Sequence, residues 1–208
     1  IEKMVACHIQ NPQASLVYST HFICNEDLEV QHINTLVGSV PDEYTYLTYP
    51  NYTSATVSSF RVFKRMFYDK TQGFSKFFVK AVDKDIIFKL EEVGDLVFLN
   101  EPLYYYRQNS NSISLNKNAW MAYWWEVQAK YKAYKRRLKN GVQNISREKL
   151  NKELYAALKQ VSIEHLAQKA WKHLLFYQLW YVWCTFKPMS SIKLMYYLLL
   201  VYPKRHKC

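Results

Sequence analysis

The first half of the chain alternates between short helical and short strand-like patterns of apolar residues. Over residues 1–12 the apolar side chains recur at three- and four-residue spacing, which predicts a helix that ends at Asn11-Pro12. A β-rich apolar run over residues 14–20 predicts a buried strand, and alternation over residues 57–63 predicts another. Residues 25–52 are irregular and polar, which indicates loops with room for one strand.

The same alternation continues up to the middle of the chain. Residues 69–73 are typical of a turn, and Gly94 is suited to end a helix predicted over residues 83–93. Two strands are predicted next, over residues 96–99 and 103–106, with an interruption at residues 100–102. Short helices and strands in this order predict a mixed α/β fold for residues 1–118.

The second half of the chain is predicted to be helical. Strong helix formers fill residues 119–139, and Ser146 is suited to cap a helix that continues at least to Ala170. Apolar runs rich in Trp and Tyr follow at residues 171–186 and 192–202, both shorter than the roughly 20 residues that cross a bilayer. These runs fit helices that lie in the membrane interface, and a helical lid packed on the first half is the alternative.

Charge divides the chain at the same place. The sequence has 28 Lys and Arg against 17 Asp and Glu, a net charge of +11. Residues 1–118 hold 11 Lys and Arg against 13 Asp and Glu, whereas residues 119–208 hold 17 against 4. The positive excess of the second part predicts an anionic partner, either a membrane surface or nucleic acid.

Composition excludes several classes of site within these residues. The four glycines are widely spaced, which excludes a glycine-rich phosphate loop. The four cysteines form no CxxC pair, so neither a cysteine-based zinc scaffold nor a disulfide-dense module is expected. We expect the cysteines to be reduced thiols.

Candidate chemistry is concentrated around residues 80–114. Asp83 and Asp85 stand at a predicted helix start, where the helix dipole favours the ionised form and a carboxylate can serve as a general base. Simple capping of the helix is the alternative for both residues. Arg107 precedes Ser112 and Ser114, and its planar donors suit either an anionic ligand or a surface ion pair.

The motifs of this segment resemble the C-terminal half of the catalytic domain of bacterial family 2 glycosyltransferases, which have the GT-A fold. The resemblance spans residues 1–118 and rests on motifs in matching order at residues 81–85 (AVDKD), 89–94 (KLEEVG), 101–107 (EPLYYYR) and 112–114 (SIS). The Arg-x-His of that family is Arg107-Gln-Asn109 here. The implied fold is an incomplete α/β GT-A domain, whose nucleotide-binding half and metal-binding Asp-x-Asp we expect before Ile1.

This resemblance implies an inverting transfer of a sugar from a nucleotide-sugar donor to a hydroxyl of a glycan or lipid-linked acceptor. Asp83 is the implied general base, and the implied donor or substrate ligands are Asp85, Arg107, Ser112 and Ser114. Asp85 can alternatively support the helix start. The implied cofactor of the complete enzyme is Mg²⁺ or Mn²⁺, with no metal ligand in this chain, and we expect residues 1–208 alone to be inactive.

Two parts are therefore expected: an acceptor-side half over residues 1–118 and a basic, aromatic helical tail over residues 119–208. The implied location is cytoplasmic and peripheral, on the inner face of the membrane, in polysaccharide biosynthesis of the cell envelope. Residues 171–208 would contact the membrane, and anionic headgroups would attract residues 135–137 and 204–207. The alternatives are a basic nucleic-acid-binding protein and a non-catalytic, membrane-associated remnant.

Overall fold

A mixed sheet with helices on both faces forms the framework of the protein. The computed structural model describes residues 1–49, 56–109, 119–141 and 146–167, and positions 175, 176, 178–180, 182, 192, 193, 195 and 196. The helices and strands, in chain order, are α1 (Glu2–Gln10), β1 (Ala14–Cys24), β2 (Val30–Ile33), β3 (Arg61–Phe63), α2 (Arg65–Tyr68), α3 (Val82–Glu91), β4 (Asp95–Arg107), α4 (Ala119–Lys139) and α5 (Arg147–Ala167). The mixed α/β class expected from the sequence is confirmed.

Strand β1 is the centre of the sheet because it has neighbours along both edges. β4 runs parallel to it from Ala14 to Cys24, while β3 and β2 pair antiparallel with the opposite edge. β3 meets the first half of β1, where Arg61 stands opposite Tyr18, and β2 meets the last three residues. A strand enclosed in this way reads as a continuous apolar run, and the strand predicted over residues 14–20 is confirmed and extends to Cys24.

The two faces of the sheet are covered by different helices. Val17 points to the face that α1 covers with Met4 and Cys7. Leu16 and Tyr18, on either side of Val17, point to the larger core on the opposite face. The buried members that α3, α4 and α5 contribute to that core are Ile86, Ile87, Phe88, Leu90, Val127, Ala129, Ala133, Leu150, Leu154 and Leu158. One hydrophobic core therefore contains residues from both sides of position 118.

The end of α3 is fixed by the close approach of Gly94 to the start of β1. A Cβ atom at Gly94 would lie 2.8 Å from the carbonyl oxygen of Gln13 and 2.9 Å from atoms of Ser15 and Phe67. Only glycine fits this approach without a shift of the neighbouring backbone. The predicted helix is confirmed, but it ends at Glu91, with Glu92 as its C-cap, and Gly94 is required by this close approach instead of by a left-handed helix end.

The strand predicted over residues 57–63 is too long, since only Arg61–Phe63 pair in the sheet. The hydroxyl of Ser58 lies 2.5 Å from the carbonyl oxygen of Ser19 and 3.1 Å from that of Phe60. A side-chain donor that occupies backbone acceptors competes with the strand ladder. The strand therefore begins after this serine.

The interruption predicted at residues 100–102 is also wrong, because β4 continues through Pro102 as one strand. Among the described strands, β4 pairs only with β1, so it is an edge strand. An edge strand tolerates a proline because the missing N–H can face the open side. The irregularity appears instead as register shifts where Ser19, Thr20 and Phe22 of β1 meet this part of β4.

The two long helices follow their predicted ranges. α4 covers residues 119–139 as expected, and the Ser146 hydroxyl accepts a hydrogen bond from the backbone N–H of Lys149 at 3.2 Å, which confirms the cap. α5 is described to Ala167, and the rest of its predicted range lies outside the described residues. Lys130 of α4 is fully buried and lies 3.1 Å from Glu153 of α5, so an ion pair joins the two helices.

Most of both predicted apolar runs lies outside the described residues. Within the run at residues 171–186, the ring of Trp180 stands edge-on to Trp124 of α4, with 5.2 Å between centroids. The amide of Gln178 donates to the hydroxyl of Ser162 in α5 at 3.2 Å. In the parts of the chain that the structure describes, no helix is both long enough and apolar enough to cross a membrane.

Candidate functional site

The two candidate aspartates lie in the first turn of α3, which follows an unusual backbone position. Ala81, the N-cap residue, has φ 55° and ψ 25°, in the left-handed region. This conformation costs about 1–2 kcal/mol for a residue that carries a Cβ atom. The surrounding structure therefore has to hold the entry into α3, and that entry determines where Asp83 is presented.

Asp83 is the open member of the pair. Its side chain is 53% exposed, and its Oδ2 atom accepts a hydrogen bond from Nη2 of Arg61 at 3.2 Å. Arg61 is itself held on β3, where Nη1 donates to the carbonyl oxygen of Ser58 at 3.0 Å. One carboxylate oxygen of Asp83 is thereby oriented by a fixed cation, while the side chain still faces solvent.

Asp85 is the closed member of the pair. Only 2% of its side chain is exposed, and Oδ2 lies 2.6 Å from Nζ of Lys89, an ion pair whose angles are not those of a hydrogen bond. Its other oxygen lies 3.7 Å from a guanidinium nitrogen of Arg136 in α4. This enclosure favours support of the helix over direct contact with a sugar hydroxyl. The substrate-binding role that the resemblance implies for Asp85 stays a prediction.

Lys89 extends the anchor of α3 to the turn before it. Its Nζ atom donates a hydrogen bond to the carbonyl oxygen of Gly73 at 2.7 Å. Gly73 has a positive φ of 63°, which suits glycine in a turn, and the predicted turn at residues 69–73 is confirmed. Asp85, Lys89 and Gly73 thus connect the start of α3, its last turn and the preceding loop.

Two arginines of α4 bind the C-terminal end of α3. Arg136 donates to both carboxylate oxygens of Glu92, at 2.6 and 2.8 Å. Arg137 donates to Glu91 at 2.5 Å and to the carbonyl oxygen of Phe88 at 3.3 Å. Bidentate and charge-assisted contacts of this kind are stronger and more directional than ordinary hydrogen bonds. Both arginines of the basic triplet at residues 135–137 are therefore engaged with α3.

Lys84 lies on the core side of the site. Its Nζ atom donates to the phenolic oxygen of Tyr46 at 3.0 Å. Tyr46 is fully buried, and burial raises the pKa of its hydroxyl, so the phenol is neutral at physiological pH. The backbone N–H of Tyr46 also donates to the carboxylate of Glu91. The loop that carries Tyr46 is therefore fixed to both ends of α3.

The structure does not bring Arg107 close to Asp83. Arg107 is exposed at the end of β4, in register with Cys24, whereas Arg61, the partner of Asp83, is in register with Tyr18. Six residues of β1 separate these two registers, which is about 20 Å at the rise of a strand. The predicted ligands Ser112 and Ser114 lie outside the described residues.

The described residues do not supply a metal site. Across the described ranges, no group of three or more His, Cys, Asp or Glu side chains is arranged to hold a metal ion. The side chain that contacts Asp83 is the guanidinium of Arg61, and a cation does not ligate a divalent metal. The site as described therefore offers a carboxylate and its positioning groups, without a set of metal ligands.

Fold and site together define a mixed α/β protein with one open and one buried carboxylate at the start of a helix. No protein-family model matches the chain, and comparison with curated proteins gives no match. The resemblance described above therefore depends on the sequence motifs alone.

The groups that distinguish the two aspartates are distant from them in the sequence. Arg61 is 22 residues before Asp83, and Arg136 is 51 residues after Asp85. No local pattern signals either pairing, because both depend on how the sheet and α4 pack around α3. The pairing of Lys89 with Asp85 could be predicted from the sequence, because a Lys four residues after an Asp on a helix is a recognised ion pair.

Proposed function

We propose that this protein is an inverting glycosyltransferase of the family 2 type, in which Asp83 is the general base for the acceptor hydroxyl. The observation that carries the proposal is the contrast between the two carboxylates. Asp83 is half-exposed and oriented by Arg61, whereas Asp85 is enclosed by Lys89 and Arg136. A base must reach an incoming hydroxyl, and of the two only Asp83 can do so.

In the proposed reaction, Asp83 acts while the acceptor oxygen attacks C1 of the sugar. Because Arg61 occupies Oδ2, we assign Oδ1 to the acceptor hydroxyl. The hydroxyl proton passes to Oδ1 as the new C1–O bond forms. The bond from C1 to the nucleoside diphosphate breaks on the opposite face, and its electron pair leaves with the diphosphate. Attack and departure on opposite faces invert the configuration at C1.

Three features of the chain support this proposal beyond Asp83. The motifs that resemble the family occur in the family's order across residues 81–114. The fold is mixed α/β, as that family requires. The helix that carries Asp83 is fixed at both ends, and fixed positioning is what a catalytic carboxylate needs. The proposal includes a cytoplasmic, membrane-peripheral location and a glycan or lipid-linked acceptor.

The test compares two aspartates in the complete natural protein that contains these residues. Asp83→Asn should lower sugar transfer by about 10²–10⁴-fold, the usual contribution of a general base, with donor binding nearly unchanged. Asp69→Asn is the matched control, because Asp69 is also 53% exposed and also pairs with an arginine, Arg65. Transfer is followed by release of nucleoside diphosphate, and the anomer of the product is read by NMR.

Three results would count against the proposal. Equal loss of activity in both variants would mean that Asp83 has no special role. Loss of donor binding in Asp83→Asn, in step with loss of transfer, would make Asp83 a structural residue. Turnover that retains the configuration at C1 would exclude the single-displacement step.

A further inference from the structure

A basic groove lies between α4 and the turn that precedes α3. It has a volume of about 640 Å³ and is lined by Gln72, Lys132, Lys135, Arg136, Leu138 and Lys139. Lys132, Lys135 and Lys139 are spaced at i, i+3 and i+7, so they share one face of α4. At the rise of a helix they extend over about 10 Å.

The positive charge of this groove is not neutralised within the described part of the chain. Arg136 forms ion pairs with Glu92 and Asp85, which neutralise its charge. The described lining contains no carboxylate, and the three lysines make no ion pair with any described residue. Three cations on one face, without an internal counter-ion, create an attractive surface for an anion.

The side chains around the groove favour a lipid surface over nucleic acid. Leu138 lines the groove and is half-exposed, and Phe77, beside Lys132, is also half-exposed. The face of the Phe77 ring is covered by Lys132, whose Nζ lies 3.2 Å from the ring centroid, so the ring is not free to stack on a base. Lysines with exposed apolar neighbours are typical of segments that lie on anionic bilayers.

We propose that this groove is a docking site for anionic phospholipid headgroups, with Lys132, Lys135 and Lys139 as the cations that contact them. The surface replaces the triplet at residues 135–137 as the basic contact, because Arg136 and Arg137 are turned towards α3. This contact lies on α4, and it is separate from any membrane contact made by residues 171–208. The proposal does not depend on Asp83 being a base.

The experiment is co-sedimentation of the full chain with vesicles. One set is phosphatidylcholine alone, and in the other about one third is phosphatidylglycerol, which supplies the anionic headgroups. The test variant is Lys135→Gln with Lys139→Gln, two exposed side chains, and Lys132 is kept because it covers Phe77. The control is Arg147→Gln with Lys152→Gln on α5, which removes the same charge from exposed positions.

We expect the natural chain to bind the anionic vesicles and not the neutral ones. The groove variant should bind about 25-fold more weakly, from roughly fivefold per lysine, while the control changes by about twofold or less. An equal loss in both variants would show an effect of net charge alone and would overturn the proposal. An unchanged groove variant would also overturn it. Salt-sensitive binding to a single-stranded oligonucleotide with no binding to vesicles would assign the groove to nucleic acid instead.

Discussion

Replacing Asp85 by Asn removes one charge from a buried ion pair while keeping the shape of the side chain. Asp85 and Lys89 are 2% and 6% exposed, so in the variant the ammonium of Lys89 stays buried beside a neutral amide. Asp83→Asn is the matched substitution two residues earlier. It breaks an ion pair in which the aspartate is 53% exposed, and Arg61, 19% exposed, keeps its hydrogen bond to the carbonyl oxygen of Ser58.

The two substitutions should therefore differ strongly in free energy of unfolding. Breaking a buried pair by removing one partner costs about 3–5 kcal/mol, because the remaining charge is left uncompensated. An exposed pair contributes about 0–1 kcal/mol, and loss of a carboxylate near the N-terminus of α3 adds about 0.3–1 kcal/mol. We expect Asp85→Asn to destabilise the protein by at least about 2 kcal/mol more than Asp83→Asn.

Urea unfolding followed by tryptophan fluorescence measures this difference, since the chain has six tryptophans. A third variant separates charge from packing: Lys89→Met should destabilise the natural protein but cost much less when Asp85 is already Asn. Equal loss of stability in the two aspartate variants, with unchanged m values, would contradict the difference expected between the buried and the half-exposed ion pair. An equal cost of Lys89→Met in both backgrounds would contradict a direct interaction between Lys89 and Asp85.

Two further predictions concern the packing below the site and the buried histidines. Gly94→Ala should cost about 1–3 kcal/mol in the same assay, because its Cβ would lie 2.8 Å from the carbonyl oxygen of Gln13, whereas Gly38→Ala, with open space around it, should be nearly neutral. Burial lowers the pKa of His8 and His21 below the ordinary value of about 6.5, so the unfolded chain binds more protons there, and the free energy of unfolding should fall as the pH drops below about 6.5. His8→Gln should flatten this pH dependence, and a steeper slope in the variant would contradict the sign.

Local patterns were enough to predict the elements whose apolar face is set by neighbouring residues. The helix α1 follows from the spacing of its apolar residues, and α4 follows from a run of strong helix formers, because both signals lie within a few turns of the chain. The strands were harder, because their limits depend on partners far along the chain. The hydroxyl of Ser58 shortens β3 by bonding to Ser19, and the edge position of β4 lets the strand pass through Pro102. Neither effect has a signal within a short window of sequence.

The candidate site shows the same division between local and distant causes. The sequence places Asp83 and Asp85 in one turn, and nothing in their spacing from the helix start says which is available for chemistry. Successive residues of a helix are rotated by about 100°, so two side chains that are two residues apart point to nearly opposite faces. Once α4 packs against one face of α3, Asp85 must meet it and Asp83 must face away.

The packing of α4 on α3 makes the basic second half of the chain part of the support for Asp83. Arg136 and Arg137 hold Glu92 and Glu91 at the end of α3, and Arg136 also approaches Asp85 at its start. Their charge is therefore neutralised inside the molecule, whereas Lys132, Lys135 and Lys139 of the same helix make no ion pair with any described residue. α4 therefore supports the helix that carries Asp83 and also presents lysines to solvent, so one element serves both proposed functions.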